Sequence, residues 1–197
     1  MPTVMTHCAI GVGMYRFVDR GRAPWWTGPC VAGCLAMLPD FDSLLMPWFA
    51  YGDDWGHRGM THSLAFAAVA GLLGALVIWR RVAFPGGFAG LAATLAAVTA
   101  SHGFLDAMTD GGLGVAFFAP FSSTRHFLPI TPIPVSPITT DPTHPGVRQV
   151  LAVELAMLWP LALLLATARR DVPRWVRWAT WTMTAFSVVV WIVRCRL

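Results

Sequence analysis

Long apolar stretches alternate with short polar turns along this chain. A helix needs about 20 apolar residues to cross a bilayer, and the pattern predicts four long transmembrane helices. They cover residues 63–79, 88 to about 108, 150–168 and 175–193. Two shorter apolar segments near the N-terminus, residues 4–17 and 30–38, predict partial or packed helices. We therefore expect an all-α, polytopic membrane helical bundle that forms one domain over residues 1–197.

The composition agrees with a membrane protein. Of the 197 residues, 56% are hydrophobic and only 12% are charged, whereas soluble domains carry about 45–50% and about 25%. This excludes a disordered chain and disfavours an ordinary cytosolic domain. The net charge of +4 is small and dispersed, so no nucleic-acid partner is expected. The four cysteines show no metal or redox spacing, and we interpret them as small apolar side chains.

Residues 110–147 differ from the rest of the chain because they are rich in Pro, Gly, Ser and Thr. A loop of this length without helices of its own is usually functional or disordered. We expect an ordered loop that caps a site.

Arginine positions predict the orientation in the membrane. The arginines between the apolar segments form three clusters, which a zigzag chain places on one side: Arg16, Arg20, Arg22, Arg80, Arg81, Arg169, Arg170, Arg174 and Arg177. The positive-inside rule makes that side cytoplasmic. The alternate loops, residues 40–61 and 103–145, then face the periplasm. Arg194 and Arg196 would also face outward, against the rule.

The unusual polar residues all fall at this outer end. We predict six of them as metal ligands: His7, Asp42, His57, His62, His102 and Asp106. Ionisable groups at membrane depth are costly and indicate a functional site by default. His102 and Asp106 are spaced i, i+4 on one helical face, and imidazole with carboxylate suits zinc, or another divalent transition metal.

Each residue also has a simpler interpretation. His7 alone could be a core histidine with a hydrogen-bond partner, and Asp40 and Asp42 could form a helix-end turn. His57 and His62 could belong to a solvated loop. The His102–Asp106 pair fits such an interpretation least well.

Together these motifs resemble the YdjM-like family of bacterial inner-membrane proteins, which are described as candidate metal-dependent hydrolases. The resemblance covers residues 1–129 and is carried by Thr6-His7, Leu38-Pro39-Asp40-Phe41-Asp42, His57-Arg58-Gly59-x-Thr61-His62-Ser63, His102-x-x-Leu105-Asp106-x-x-Thr109-x-Gly111-Gly112, Pro120-Phe121 and Arg125-x-Phe127. It implies a hydrolase in the inner membrane. The last two helices match only in hydropathy.

A looser similarity connects the chain to zinc-dependent phospholipase C and related single-strand nucleases. Their multi-zinc ligands follow the order seen here in His7, Asp42, His57, His102 and Asp106. A later His and a final His-x-x-x-Glu motif of those enzymes are missing, so we expect between one and three ions. Candidates for further ligands are His62, Asp40, His126 and Glu154. Glu154 could equally pair with Arg148 or be a buried protonated acid.

These residues predict a hydrolase that uses metal-activated water, with Asp40 or Asp42 accepting the proton. Arg58 and Arg125 suit a phosphate, although helix capping or lipid headgroup contact would explain them equally. A site at the membrane surface favours a phosphoesterase acting on a membrane lipid or other amphipathic substrate. The alternatives are an ester or amide hydrolase of a lipid or lipoprotein, and a non-enzymatic metal-binding membrane protein. The pattern predicts no oligomeric state.

Overall fold

The computed structural model describes residues 2–19, 26–137, 139, 141, 143–168 and 172–196. Their regular structure is helical, and the only β pairing among them is two isolated bridges. The six α-helices are α1 (Val4–Asp19), α2 (Gly28–Met37), α3 (Leu64–Ile78), α4 (Gly87–Ala107), α5 (Pro145–Thr167) and α6 (Arg174–Arg196). Two 3-10 segments, Leu38–Leu45 and Met60–His62, lie between α2 and α3. The all-α prediction is thus confirmed, including the two shorter N-terminal helices.

Within the part of the chain that the structure describes, three helices are long and apolar enough to cross a membrane, rather than the four predicted. They are α4, α5 and the Arg174–Val193 part of α6. The remaining predicted span, α3, has 15 residues and is about 22 Å long, short of the roughly 30 Å hydrocarbon core. It begins at Leu64, within one residue of the predicted start, where Ser63 caps it by accepting a hydrogen bond from the Phe66 N–H at 3.1 Å.

Helix α5 begins at Pro145, earlier than the predicted residue 150. Proline suits the first helical turn because its missing N–H would have had no partner there. The His144 side chain accepts a hydrogen bond from the Gly146 N–H at 3.1 Å and caps the helix. The start of α5 therefore belongs to the segment that the sequence predicted as loop.

Helix α1 lies at the centre of the bundle and packs against α2, α4 and α5, while α3 packs on α4 and α6 on α5. Small residues allow these close approaches. A Cβ on Gly11 would lie 3.1 Å from the Ala32 carbonyl oxygen and the same distance from the Val98 side chain. The central place of α1 brings its N-terminal residues beside α4 and α5.

Backbone hydrogen bonds fold the segment after α4 back on itself and join it to the loop before α3. Thr109 pairs with Ile133 and Val115 pairs with His126 in the two bridges. The Ala116 N–H donates to the Arg58 carbonyl at 3.0 Å.

Of the predicted cytoplasmic arginines, Arg20, Arg22, Arg169 and Arg170 lie outside the described residues.

A proline inside α5 is compensated by α6. Pro160 has no N–H, so it cannot bond the Ala156 carbonyl one turn earlier. The Ser187 hydroxyl of α6 donates to that carbonyl oxygen at 2.5 Å, and Thr184 donates to the Pro160 carbonyl at 3.0 Å. This is the way a membrane bundle tolerates proline.

We expect Ser187→Ala to lower the free energy of unfolding by about 1 kcal/mol, because it leaves the Ala156 carbonyl unpaired. In a Pro160→Ala background the same substitution should have almost no effect, since residue 160 then supplies the N–H. Unfolding of the wild type, the two single variants and the double variant in mixed micelles measures these free-energy differences. Equal losses in both backgrounds would show that Ser187 does not compensate the proline.

Candidate metal centre

Five buried side chains converge from four parts of the chain. His7 comes from α1, Asp40 from the first 3-10 segment, His62 from the second, and His102 and Asp106 from α4. None is more than 6% exposed. One ligand atom from each of Asp40, His62, His102 and Asp106 lies within 4.8 Å of the others. We call these five residues the central cluster.

Their nitrogen and oxygen atoms face each other slightly beyond hydrogen-bond distance. Oxygens of Asp106 lie 3.4 Å from His7 Nε2 and 3.5 Å from His62 Nε2, and Asp40 Oδ1 lies 3.3 Å from His102 Nε2. Ordinary N–H···O bonds are about 2.7–3.2 Å. Ligands about 2.1 Å from a tetrahedral zinc ion stand roughly 3.4 Å apart, so the spacing fits a shared cation.

Several of these atoms are buried and have no hydrogen-bond partner among the described residues. They are His62 Nε2, His102 Nε2, both ring nitrogens of His7 and both carboxylate oxygens of Asp40 and of Asp106. Each unpaired buried polar group costs about 1–3 kcal/mol. A divalent cation bound between these nitrogen and oxygen atoms would give them a partner. Imidazole and carboxylate are ligands that zinc accepts.

The other nitrogen of two histidines is fixed by a protein acceptor. His102 Nδ1 lies 2.7 Å from the Ala36 carbonyl oxygen, and His62 Nδ1 lies 3.1 Å from Asp42 Oδ2. Because a carbonyl only accepts, His102 Nδ1 carries the proton and Nε2 presents its lone pair to the central cluster. Metal-binding histidines are held in this way.

Asp42 is surrounded by donors. It accepts hydrogen bonds from His57 Nδ1 at 2.6 Å, the Thr61 hydroxyl at 2.7 Å and the Arg58 N–H at 3.2 Å, besides contacting His62. Burial opposes its ionisation, but the bonds from His57 and His62 hold its pKa below the usual value for aspartate. This arrangement suits a carboxylate that orients the neighbouring histidines His57 and His62.

Asp42, His57 and His62 also form a second group of ligand atoms within 4.8 Å of one another. It shares His62 with the central cluster. Burial alone would lower the pKa of His62, but the carboxylates of Asp106 and Asp42, 3.5 Å and 3.1 Å from its two ring nitrogens, raise it to about 9. The ring thus lies between two carboxylates, in a place where a bound metal would also supply positive charge.

Arg58 is fully buried and adopts φ +66°, which is rare for a residue with a side chain. Its Nε lies 3.1 Å from Asp106 Oδ2, and its two terminal nitrogens donate to the Thr109 hydroxyl and the Gly111 carbonyl at 2.9 Å each. Gly112 adopts φ +91°, and a Cβ there would lie 2.8 Å from Arg58 Nη1. The guanidinium thus holds Asp106 and the following loop.

Arg125 lies at the edge of the site and is half-buried. It donates to the carbonyl oxygens of His57, Tyr51 and Asp53 at 2.9–3.2 Å. These contacts close the loop that leads into the second 3-10 segment. The contact of Arg125 or Arg58 with a substrate phosphate stays a prediction.

Among the described residues, neither group of ligand atoms includes His126 or Glu154. His126 pairs with Val115 and contacts the Phe118 ring. Glu154 is buried on α5 and accepts hydrogen bonds from the hydroxyls of Thr3 and Thr6 at 2.6 and 2.8 Å.

Sequence reasoning gave these threonines no role, although Thr6 belongs to the Thr6-His7 motif; Thr3 lies just before α1 and Thr6 lies in its first turn. A carboxylate at a helix N-terminus is also favoured by the helix dipole. The contacts therefore fix the helix that carries His7.

Comparison with known proteins agrees with a protein of the inner membrane. The chain matches the family described as YdjM inner membrane protein over residues 1–194. It is 41% identical over 172 residues to the inner membrane protein YbcI of Escherichia coli (strain K12), covering 84% of this chain and 95% of that protein. No solved structure is significantly similar. The chain belongs to the YdjM family of inner membrane proteins.

Proposed function

We propose that this protein is a metal-dependent hydrolase of the inner membrane that cleaves a phosphoester of a lipid or other amphipathic molecule, with zinc as its metal. The observation that carries the proposal is the set of unpaired nitrogen and oxygen atoms in the central cluster, 3.3–3.5 Å apart and buried. A membrane bundle has no structural need for five such side chains, and intramembrane ionisable groups are functional by default.

The residues divide into ligands and positioning groups. His62, His102 and Asp106 would hold the ion, with His7 beside Asp106. Zinc supplies Lewis acidity and acidifies water at such a site. Asp40 has the highest exposure in the central cluster, 6%, and both of its oxygens are unpaired. We assign it to accept the proton from the attacking water.

Exposed apolar side chains at this end of the molecule support an amphipathic substrate. They lie on the 3-10 segment, the loop before α3 and the segment after α4: Phe41, Leu44, Trp48, Trp55, Leu113, Phe118, Phe121 and Phe127. Aromatic residues are enriched where a protein meets the membrane surface. This rim would admit a headgroup to the site while the hydrocarbon tail stays in the membrane.

We infer the orientation from the two ends of α4, which is one of the candidate spans. His102 and Asp106 lie near its C-terminal end, and Arg80 and Arg81 lie before its N-terminal end. Because basic residues favour the cytoplasmic side, we place the central cluster on the periplasmic side.

The test is release of phosphorylated headgroup and of fatty acid from phospholipid vesicles by zinc-loaded protein. We expect phosphate-linked product from the wild type and a loss of at least about 100-fold in Asp40→Asn with the metal retained. Asp54→Asn, an exposed acid in the same outer region, is the matched control.

Release of fatty acid alone would show that the protein is a carboxylic ester hydrolase and not a phosphoesterase. The absence of any product at full zinc occupancy would contradict the hydrolase and favour a non-enzymatic metal-binding protein.

Asp42→Asn tests the division of roles. An asparagine cannot match the carboxylate that His57 and His62 face, so we expect zinc affinity to fall about 10–100-fold without being lost. Competition with a chromophoric chelator measures the affinity, and Asp54→Asn is again the control. Complete loss of metal would show that Asp42 is itself a ligand, as the sequence predicted. An unchanged zinc affinity would show that Asp42 does not contribute to metal binding.

A further inference from the structure

The rings of the three histidines in the central cluster are held in different ways. His62 and His102 each place Nδ1 beside an oxygen atom of the protein. Neither ring nitrogen of His7 has a hydrogen-bond partner among the described residues. Its ring stacks on that of His102, with centroids 3.7 Å apart and planes 15° apart, a contact that sets the plane of the ring but supplies no directional bond. The position of His7 Nε2 therefore depends on where α1 places the backbone.

The residue before His7 is held by two side chains of α5. Thr6 is fully buried, and its hydroxyl donates to Glu154 Oε2 at 2.8 Å and accepts from Trp159 Nε1 at 3.0 Å. Glu154 also accepts from the backbone N–H and the hydroxyl of Thr3, at 2.5 and 2.6 Å. Successive residues of a helix point about 100° apart, so Thr6 faces α5 while His7 faces α4. These hydrogen bonds therefore join the start of α1 to α5 immediately beside a residue of the central cluster.

Helices α1 and α5 also pack together through apolar and small residues. Ile10 belongs to one buried apolar cluster with Leu158 and Ala162, and a Cβ on Gly13 would lie 2.7 Å from the Ala162 carbonyl oxygen. Such contacts hold two helices together, whereas buried polar contacts are best known for fixing their register. A buried glutamate in a membrane span is costly and indicates a function by default. The hydrogen bonds of Glu154 therefore suit the task of placing α1 at a defined height along α5.

We propose that Glu154 is a positioning residue of the metal centre, which sets the register of α1 through Thr6 and thereby holds His7 Nε2 at the bound ion. His7 Nε2 lies 3.4 Å from Asp106 Oδ1, which is roughly the separation of two ligands of one tetrahedral ion. The inference rests on the proposed function, which it deepens by making α5 part of the site. The carboxylate of Glu154 is occupied by the two threonines and does not contact the ion.

The zinc affinities of four purified proteins test the inference: the wild type, His7→Ala, Glu154→Leu and the double variant. Leucine fills the space of the glutamate but accepts no hydrogen bond. We expect Glu154→Leu to weaken zinc binding about 10-fold, as the loss of a partner that orients a ligand does, and His7→Ala to weaken it at least as much. In the His7→Ala background, Glu154→Leu should have no further effect, because Glu154 acts through His7.

A merely structural role of Glu154 gives a different result. Glu154→Leu would then weaken zinc binding equally in both backgrounds, and this outcome would overturn the inference. Ser187→Ala is the matched control, since it also removes a hydrogen bond to α5 but on the side of α6, and it should bind zinc as the wild type does. The visible spectrum of the cobalt-loaded proteins is a second readout. Glu154→Leu should shift it as His7→Ala does, whereas Ser187→Ala should leave it unchanged.

Two milder substitutions keep the test available if Glu154→Leu does not fold. Thr6→Val removes only the hydroxyl that Glu154 and Trp159 contact, and it should weaken zinc binding only where His7 is present. Glu154→Gln keeps an oxygen acceptor for Thr6 and should retain most of the wild-type affinity. Wild-type affinity in Thr6→Val or Glu154→Leu would overturn the inference and leave the metal centre standing. A wild type that binds no zinc would instead overturn the proposed function.

Discussion

Arg58→Ala is expected to lower the free energy of unfolding by about 3–5 kcal/mol, the usual effect of breaking a buried ion pair from one side. The substitution leaves Asp106 without its nearest cation and removes the donors to Thr109 and Gly111. Arg58→Lys should recover only part of the loss, because a lysine cannot form three such contacts in one plane. Unfolding in mixed micelles of detergent and SDS measures both.

Arg125→Ala is the matched control, since Arg125 also donates to protein oxygens but is half-buried. We expect a loss of about 1–2 kcal/mol, because water can replace the guanidinium at the freed carbonyls. Equal losses for the two arginines would contradict a buried structural role for Arg58. A loss below about 1 kcal/mol for Arg58→Ala would return it to the predicted role of contacting substrate.

The second large effect is loss of metal from His102→Ala/Asp106→Asn. These two residues supply atoms from consecutive turns of α4 to the central cluster, and Asp106 also faces His7 and His62. Removing two ligands of one ion should leave no stoichiometric metal after dialysis, a fall in affinity of well over about 100-fold. Metal content by plasma mass spectrometry gives the result directly.

His126→Ala provides a control histidine from the same outer end, paired with Val115 rather than placed in the central cluster. It should retain the wild-type metal content. Metal that persists in the double variant, or that is lost equally in His126→Ala, would move the binding site away from α4.

Apolar runs alone predicted the helices well. The predicted segments 88–108 and 175–193 lie almost on α4 and α6, since a long hydrophobic run has few other structures available in a membrane. Helix ends were harder to predict, because caps decide them. The Ser63 cap starts α3 within one residue of its predicted start, whereas His144 with Pro145 extends α5 into the predicted loop.

Spacing also predicted one part of the site. His102 and Asp106 share a helical face by the i, i+4 rule, and the structure brings both into the central cluster. The surroundings of Asp42 could not be predicted, because its donors come from a turn 15–19 residues later. The same is true of the left-handed backbone at Arg58, which depends on how that turn closes.

Glu154 shows the limit most clearly. The sequence left open a metal ligand, a pair with Arg148 and a buried protonated acid. In the structure its carboxylate accepts from Thr3 and Thr6, which lie about 150 residues away in the chain. Partners that distant depend on the packing of α1 against α5, and no local pattern encodes that packing.

X-ray absorption at the edge of the metal that copurifies with the protein tests the central claim most directly. A metal held by the central cluster predicts only nitrogen and oxygen neighbours at about 2.0–2.2 Å, with the multiple scattering of imidazole rings. A sulfur shell at about 2.3 Å would place the ion on the cysteines instead. The absence of any metal edge in fully reconstituted protein would contradict a metal centre altogether.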